Sequence, residues 1–161
     1  MEFFKPCWIA LVFMFGPDPA PSKTYLHKVS RTIAERVFIC NRIAIESRKK
    51  GVDPILALSV GMRESGFTYV TSKKGAQGPL GVLPRYHCKQ GAHNCDLIKA
   101  GVSALSKFLE LNPGSRCKAL AQYNRGLKGE CAENHSEFYY ASDVIEIYNA
   151  ICSATDFCHD C

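Results

Sequence analysis

The sequence predicts an all-α domain of about five helices with one structured loop, and three observations carry that expectation. Apolar residues recur at three- and four-residue steps over long stretches, which is the helical period. Most of these stretches are bracketed by helix signals, Asp or Ser before them and Gly or Pro after them. Residues 66–91 are the exception. There Gly66, Gly75, Gly78, Gly81, Pro79 and Pro84 break any period, so the segment reads as a loop or a short irregular hairpin.

Each element follows from its residues. From Tyr25 to Lys50, Leu26, Val29, Ile33, Val37, Ile39, Cys40, Ile43 and Ala44 form an apolar stripe, and the basic turn before Gly51 suits a helix C-terminus. Asp53-Pro54 then supplies an N-cap and a proline at the first helical position. The second helix, Pro54 to about Ser65, is apolar nearly all round and must be buried. It nevertheless ends on a carboxylate, Glu64. A third helix starts at Asp96 and stops at Asn112-Pro113-Gly114. A short helix, "CKALAQYN", follows and is broken by Gly126 and Gly129. The last, "SEFYYASDVIEIYNAIC", takes Ser136 as cap and leads into a polar, Cys-rich tail.

With 161 residues, 47% of them hydrophobic, the chain makes one domain with its own core. No run of about eighteen apolar residues exists, which excludes a multi-spanning membrane protein. The net charge of +5 is mild; it suits solubility or an anionic polymer, and no nucleic-acid motif accompanies it. Residues 1–22 stand apart: an apolar stretch with Lys5 near its start, then the break "PDPAPS". They read as a signal peptide with cleavage near Lys23, leaving the domain at 23–161. The alternatives are an uncleaved membrane anchor or a buried N-terminal strand or helix in a virion or complex. Removing Cys7 with the leader leaves Cys40, Cys88, Cys95, Cys117, Cys131, Cys152, Cys158 and Cys161, an even set in about 140 residues. Such density argues for disulfides and an oxidising compartment, hence export. Eight cysteines allow about a hundred pairings; the short loop from Cys88 to Cys95 marks one candidate pair.

Three stretches in order carry chemistry: "GVDPILALSVGMRESGF", "SKKGAQGPLGVLP" and "LAQYNRG". They resemble the three motifs of the lytic transglycosylase (SLT) family of lysozyme-like, murein-cleaving enzymes, and the resemblance covers about Ile33 to Gly126. It implies a mainly helical lysozyme-like fold, of the α+β superfamily, with the Gly-rich loop after the catalytic helix. It implies Glu64 as catalytic acid and base on the glycan strands of peptidoglycan. Ser65 and Ser72 would steady the site, and Gly75 and Ala76 would let the loop backbone approach the sugar. Gln77, Gly78 and Leu80 would line the groove, and Tyr123 and Asn124 would contact Glu64 or the sugar. No cofactor or metal is implied. Pro79 stands where the family has Leu, and Gly81 where it has a groove-lining Gln. If the groove is open for want of that side chain, Gly81→Gln should fold and retain or improve cleavage.

The chemistry stands beside the resemblance. Breaking a glycosidic bond needs a protonated acid near neutral pH, which burial against hydrocarbon provides by raising a Glu pKa. Glycosidases ordinarily use two carboxylates. The loop from Gly66 to Pro84 has no Asp or Glu, which fits a one-acid mechanism in which the muramic sugar's own C6 hydroxyl attacks and a 1,6-anhydro product forms. The alternatives are a muramidase hydrolysing the same bond and a disulfide-rich binding or structural protein on the same scaffold without activity. Export to the periplasm, envelope or exterior is expected, or a place in a virion. The partners would then be murein and an envelope-spanning secretion or conjugation apparatus or a phage particle. His87, Cys88, His93 and Cys95 lack the spacing of a zinc finger or ribbon, and "CHDC" at the C-terminus reads as a staple. Tyr139, Tyr140 and Tyr148 read as core or groove-edge aromatics, and His135 and His159 as surface residues.

Overall fold

A computed structural model describes residues 6–7, 23–89 and 92–155. Among the described residues from 23 to 155, six α-helices follow in order: α1 (Lys23–Lys49), α2 (Pro54–Ser65), the single turn α3 (Pro84–His87), α4 (Leu97–Leu111), α5 (Arg116–Arg125) and α6 (Ser136–Ala154). A 3₁₀ turn, Ala92–Asn94, precedes α4. The expectation of an all-α domain holds. In place of strands the loop after α2 has two isolated antiparallel bridges, Thr71 with Gln77 and Gln77 with Val82.

The helix boundaries arise from the signals described. Asp53 Oδ1 accepts the Ile55 N–H at 2.8 Å, and Pro54 occupies the first turn, so α2 starts there. Gly66 adopts φ 60° and its N–H reaches the Met62 carbonyl, which closes the helix in the left-handed manner open to glycine. Asp96 caps α4 through the Lys99 N–H and also accepts from Arg42 on α1 at 2.8 Å. Ser115 caps α5. The last helix differs from expectation: His135 is the cap residue, and the Ser136 hydroxyl bonds the Glu137 carboxylate instead of a helix N–H.

α2 is the axis of the core. Ile55 to Gly61 are all buried, and α2 packs against α1 on one side and α6 on another, while α5 lies between α4 and α6. Ile43, Leu56, Leu58, Leu120, Val144 and Ile151 meet there with at most 2% exposure. Each such side chain contributes about 1.5–3 kcal/mol of burial. A helix covered on most sides cannot turn, so the direction of its last side chains is fixed.

Disulfides join Cys88 to Cys95 and Cys117 to Cys131. Cys152 is also disulfide-bonded, whereas Cys158 and Cys161 lie outside the described residues. Cys40 departs from the expected set: its partner is Cys7, the residue assigned to the leader. Residues 6–7 are helical and Cys7 is fully buried in the main core cluster, so this cysteine is packed as a core residue as well as bonded. Most of the leader, residues 1–5 and 8–22, lies outside the described residues. No helix among the described residues is long and apolar enough to cross a membrane.

Candidate active site

Glu64 sits one residue from the end of α2, and three other elements converge on it. From α6, the Tyr140 hydroxyl donates to Glu64 Oε1 at 2.7 Å. From the loop, Gly81 faces the other oxygen: a Cβ built on Gly81 would lie 2.5 Å from Oε2. From α5, Tyr123 is near enough to feel the charge of Glu64. The neighbouring Arg63 turns outward to pair with Asp143 at 2.8 Å, and its guanidinium lies 5.7 Å from the Tyr140 ring centre.

The electrostatics follow from that enclosure. Burial raises the Glu64 pKa above its ordinary value; the Tyr140 hydrogen bond and the charge of Arg63 oppose the rise without cancelling it. Burial, with the nearby charge of Glu64, pushes both Tyr123 and Tyr140 well above the usual phenol range. They are neutral donors at all ordinary pH. The carboxyl is thus a strengthened proton holder bounded by phenols.

A chain of backbone and side-chain bonds holds the loop over it. Ser65 Oγ donates to the Pro79 carbonyl at 2.9 Å and accepts the Thr68 N–H at 3.1 Å, tying the end of α2 to both ends of the loop. Tyr123 donates to the Leu80 carbonyl at 2.6 Å and stands edge-on to Phe108. Arg36 donates to the Gly66 carbonyl at 2.6 Å, and the next residue, Phe67, holds a left-handed φ of 62° with its ring fully buried. A non-glycine residue in that region costs about 1–3 kcal/mol and persists only when its surroundings over-determine it. Ring burial and the Arg36 bond do so here.

Several expected residues therefore occupy other roles. Leu80 is 1% exposed and packs into the core; its carbonyl, not its side chain, belongs to the site. Gly78 is buried against Leu97. Gly75, Ala76, Gln77 and Gly78 all spend their N–H groups inside the loop, on Ser72 O, Ser72 Oγ, Val82 O and Val70 O. Ser72 steadies the loop tip rather than Glu64. These four amides are therefore engaged within the loop. Asn124 is exposed at the end of α5, next to Tyr123. Gly81→Gln does not fit this geometry: the position has φ +61° and the new Cβ would run into the Glu64 carboxylate. Its glycine marks a close approach, not an opened groove.

Tyr140 is the residue that sequence reasoning missed as a site member. Its only signal is its place in "FYY" at the start of an amphipathic helix, and 76 residues separate it from Glu64. Three surface concavities, of about 620, 580 and 370 Å³, are lined by residues from Thr32 to Tyr69, His87 to Ser103 and Met62 to Ile151, and Glu64 lines none of them. Among the described residues no three His, Cys, Asp or Glu gather to hold a metal ion, and Cys88 and Cys95 are bonded to each other. No protein-family model matches the chain, and neither does any curated protein or solved structure.

Proposed function

We propose that the chain is a murein-cleaving enzyme of the lytic transglycosylase type on a lysozyme-like scaffold, with Glu64 as sole acid and base. One observation carries the proposal: a Glu with a raised pKa stands at the end of a buried helix, hydrogen-bonded on one oxygen and flanked by a loop without carboxylates. In its protonated form the carboxyl gives its proton to the glycosidic oxygen between the muramic and glucosamine sugars, and the C1–O bond breaks. The carboxylate then takes the proton of the C6 hydroxyl while a C1–O6 bond forms, which restores the acid and yields a 1,6-anhydro end. Tyr140, donating to Oε1, orients the carboxyl and stabilises its anion between the steps. Tyr123 acts through Leu80 by fixing the loop.

Disulfide bonding of seven described cysteines supports an oxidising, extracytoplasmic setting. The pairing of Cys7 with Cys40 favours retention of the N-terminal segment over its loss. Digestion of purified murein with mass analysis of the soluble fragments tests the reading. Fragments ending in anhydro sugars support it; fragments heavier by one water at that end make the chain a muramidase; no fragments leave a binding or structural protein.

A further inference from the structure

Resting on the reading of Glu64 as the acid, we propose that Gly81 is a positioning residue: lacking a side chain, it lets Glu64 Oε2 rest against the loop backbone while Oε1 holds the Tyr140 hydroxyl. The two carboxyl oxygens are not equivalent. Oε1 receives the Tyr140 hydroxyl at 2.7 Å, so its outer face is taken. Oε2 is directed at the backbone of residue 81. A Cβ there would stand 2.5 Å from Oε2 and 2.8 Å from Cδ of Glu64, closer than nonbonded atoms approach, and 3.3 Å from Cγ, a tight contact. Residue 81 is therefore the wall against which the carboxyl rests. A side chain on that wall would push the carboxyl out of this place and off Tyr140.

Glycine at 81 meets two demands, and they separate experimentally. The left-handed φ of +61° is one, and Gly51 shares it at +68°. The second is the contact with Glu64, which Gly51 lacks, since nothing lies within 4 Å of its would-be Cβ. Gly51, in the turn between α1 and α2, takes no part in the site and is the control for backbone strain.

The experiment compares Gly81→Ala and Gly51→Ala in wild-type and Glu64→Ala backgrounds. Melting temperature reads the contact without reference to any activity. Gly81→Ala should lower it more than Gly51→Ala does in the wild type, and the excess should vanish when Glu64 is alanine, because every Glu64 atom it strikes is then gone. Folded Gly81→Ala should release murein fragments about 100-fold more slowly, the typical loss for a misplacement of about 1 Å. Its binding to murein should be unchanged, and Gly51→Ala should lose no such turnover. Equal costs of the two alanines in both backgrounds would overturn the contact. Turnover of folded Gly81→Ala equal to that of Gly51→Ala would overturn the positioning role. A wild-type protein that releases no fragments would instead remove the enzymatic reading, while the melting comparison still decides whether residue 81 sets the carboxyl.

Discussion

Replacing Tyr140 by Phe removes one hydroxyl from the site and leaves the ring, which is 6% exposed, in place. The lost bond, 2.7 Å to Glu64 Oε1, favours the charged carboxylate, so its removal must raise the Glu64 pKa further. A hydrogen bond to a charged group is worth about 1.5–3 kcal/mol. Glu64 is half-buried and water replaces part of the bond, so the lower value applies; it corresponds to about one pKa unit. The acid must be protonated in the free enzyme, so kcat/KM falls as pH rises through its pKa, and that alkaline limb should move up by about one unit. Below the limb, turnover should fall roughly 10-fold, which is the loss of about 1.4 kcal/mol of orientation and anion stabilisation. Stability responds in the same direction. The folded chain holds the Glu64 proton above its unfolded pKa of about 4.3, so stability falls as pH rises from there to the folded pKa, and Tyr140→Phe extends that interval upward. A carboxyl ¹³C titration of Glu64 measures the shift without substrate. An unchanged or lowered pKa in a folded Tyr140→Phe protein would refute the reasoning.

Tyr123→Phe leaves the Leu80 carbonyl without its donor in a buried setting, so it should cost about 1–3 kcal/mol in denaturant unfolding and slow turnover by loosening the loop; unchanged stability would contradict this. Arg63→Ala should change stability by less than about 1 kcal/mol, because its pair with Asp143 is exposed, yet raise the Glu64 pKa by removing a nearby cation; a lowered pKa on carboxyl titration would contradict it. Peptide mapping without reduction should recover Cys7 joined to Cys40, and Cys7→Ser should lower stability by about 2–5 kcal/mol; a free Cys40 thiol would contradict the pairing.

Local signals were legible and long-range ones were not. Asp53-Pro54 and the apolar run after it specify α2 and its burial, because caps and side-chain periodicity are properties of neighbouring residues. That alone places Glu64 at a helix end against hydrocarbon. The contact of Tyr140 with Glu64 depends on how α6 crosses α2, and no spacing in the chain encodes that angle. Cys7 read as part of a leader because its flanks are apolar, whereas its pairing is a tertiary fact. Gly81 was visible as a departure from the family pattern, but its cause, a carboxyl resting against the backbone, exists only in three dimensions. Only its match to the family motif places Leu80 in the groove; burial beneath α4 decides otherwise.

Glu64→Gln tests the central claim most directly. The amide keeps the shape of the side chain and can still accept from Tyr140, but it cannot deliver an acidic proton. General acid–base catalysis is typically worth about 10²–10⁴-fold, and one residue here supplies both proton transfers, so the loss should reach the upper end. Removing a carboxyl from a half-buried site should leave stability unchanged or slightly higher. The measurement is the initial rate of soluble fragment release from purified murein by wild-type and Glu64→Gln proteins of equal melting temperature. The account predicts anhydro-ended fragments from the wild type and a rate about 10⁴-fold lower from the variant, with murein binding retained. Glu64→Gln protein that still clears murein at about a tenth of the wild-type rate or better, far short of such a loss, would show that Glu64 is only the end of a helix.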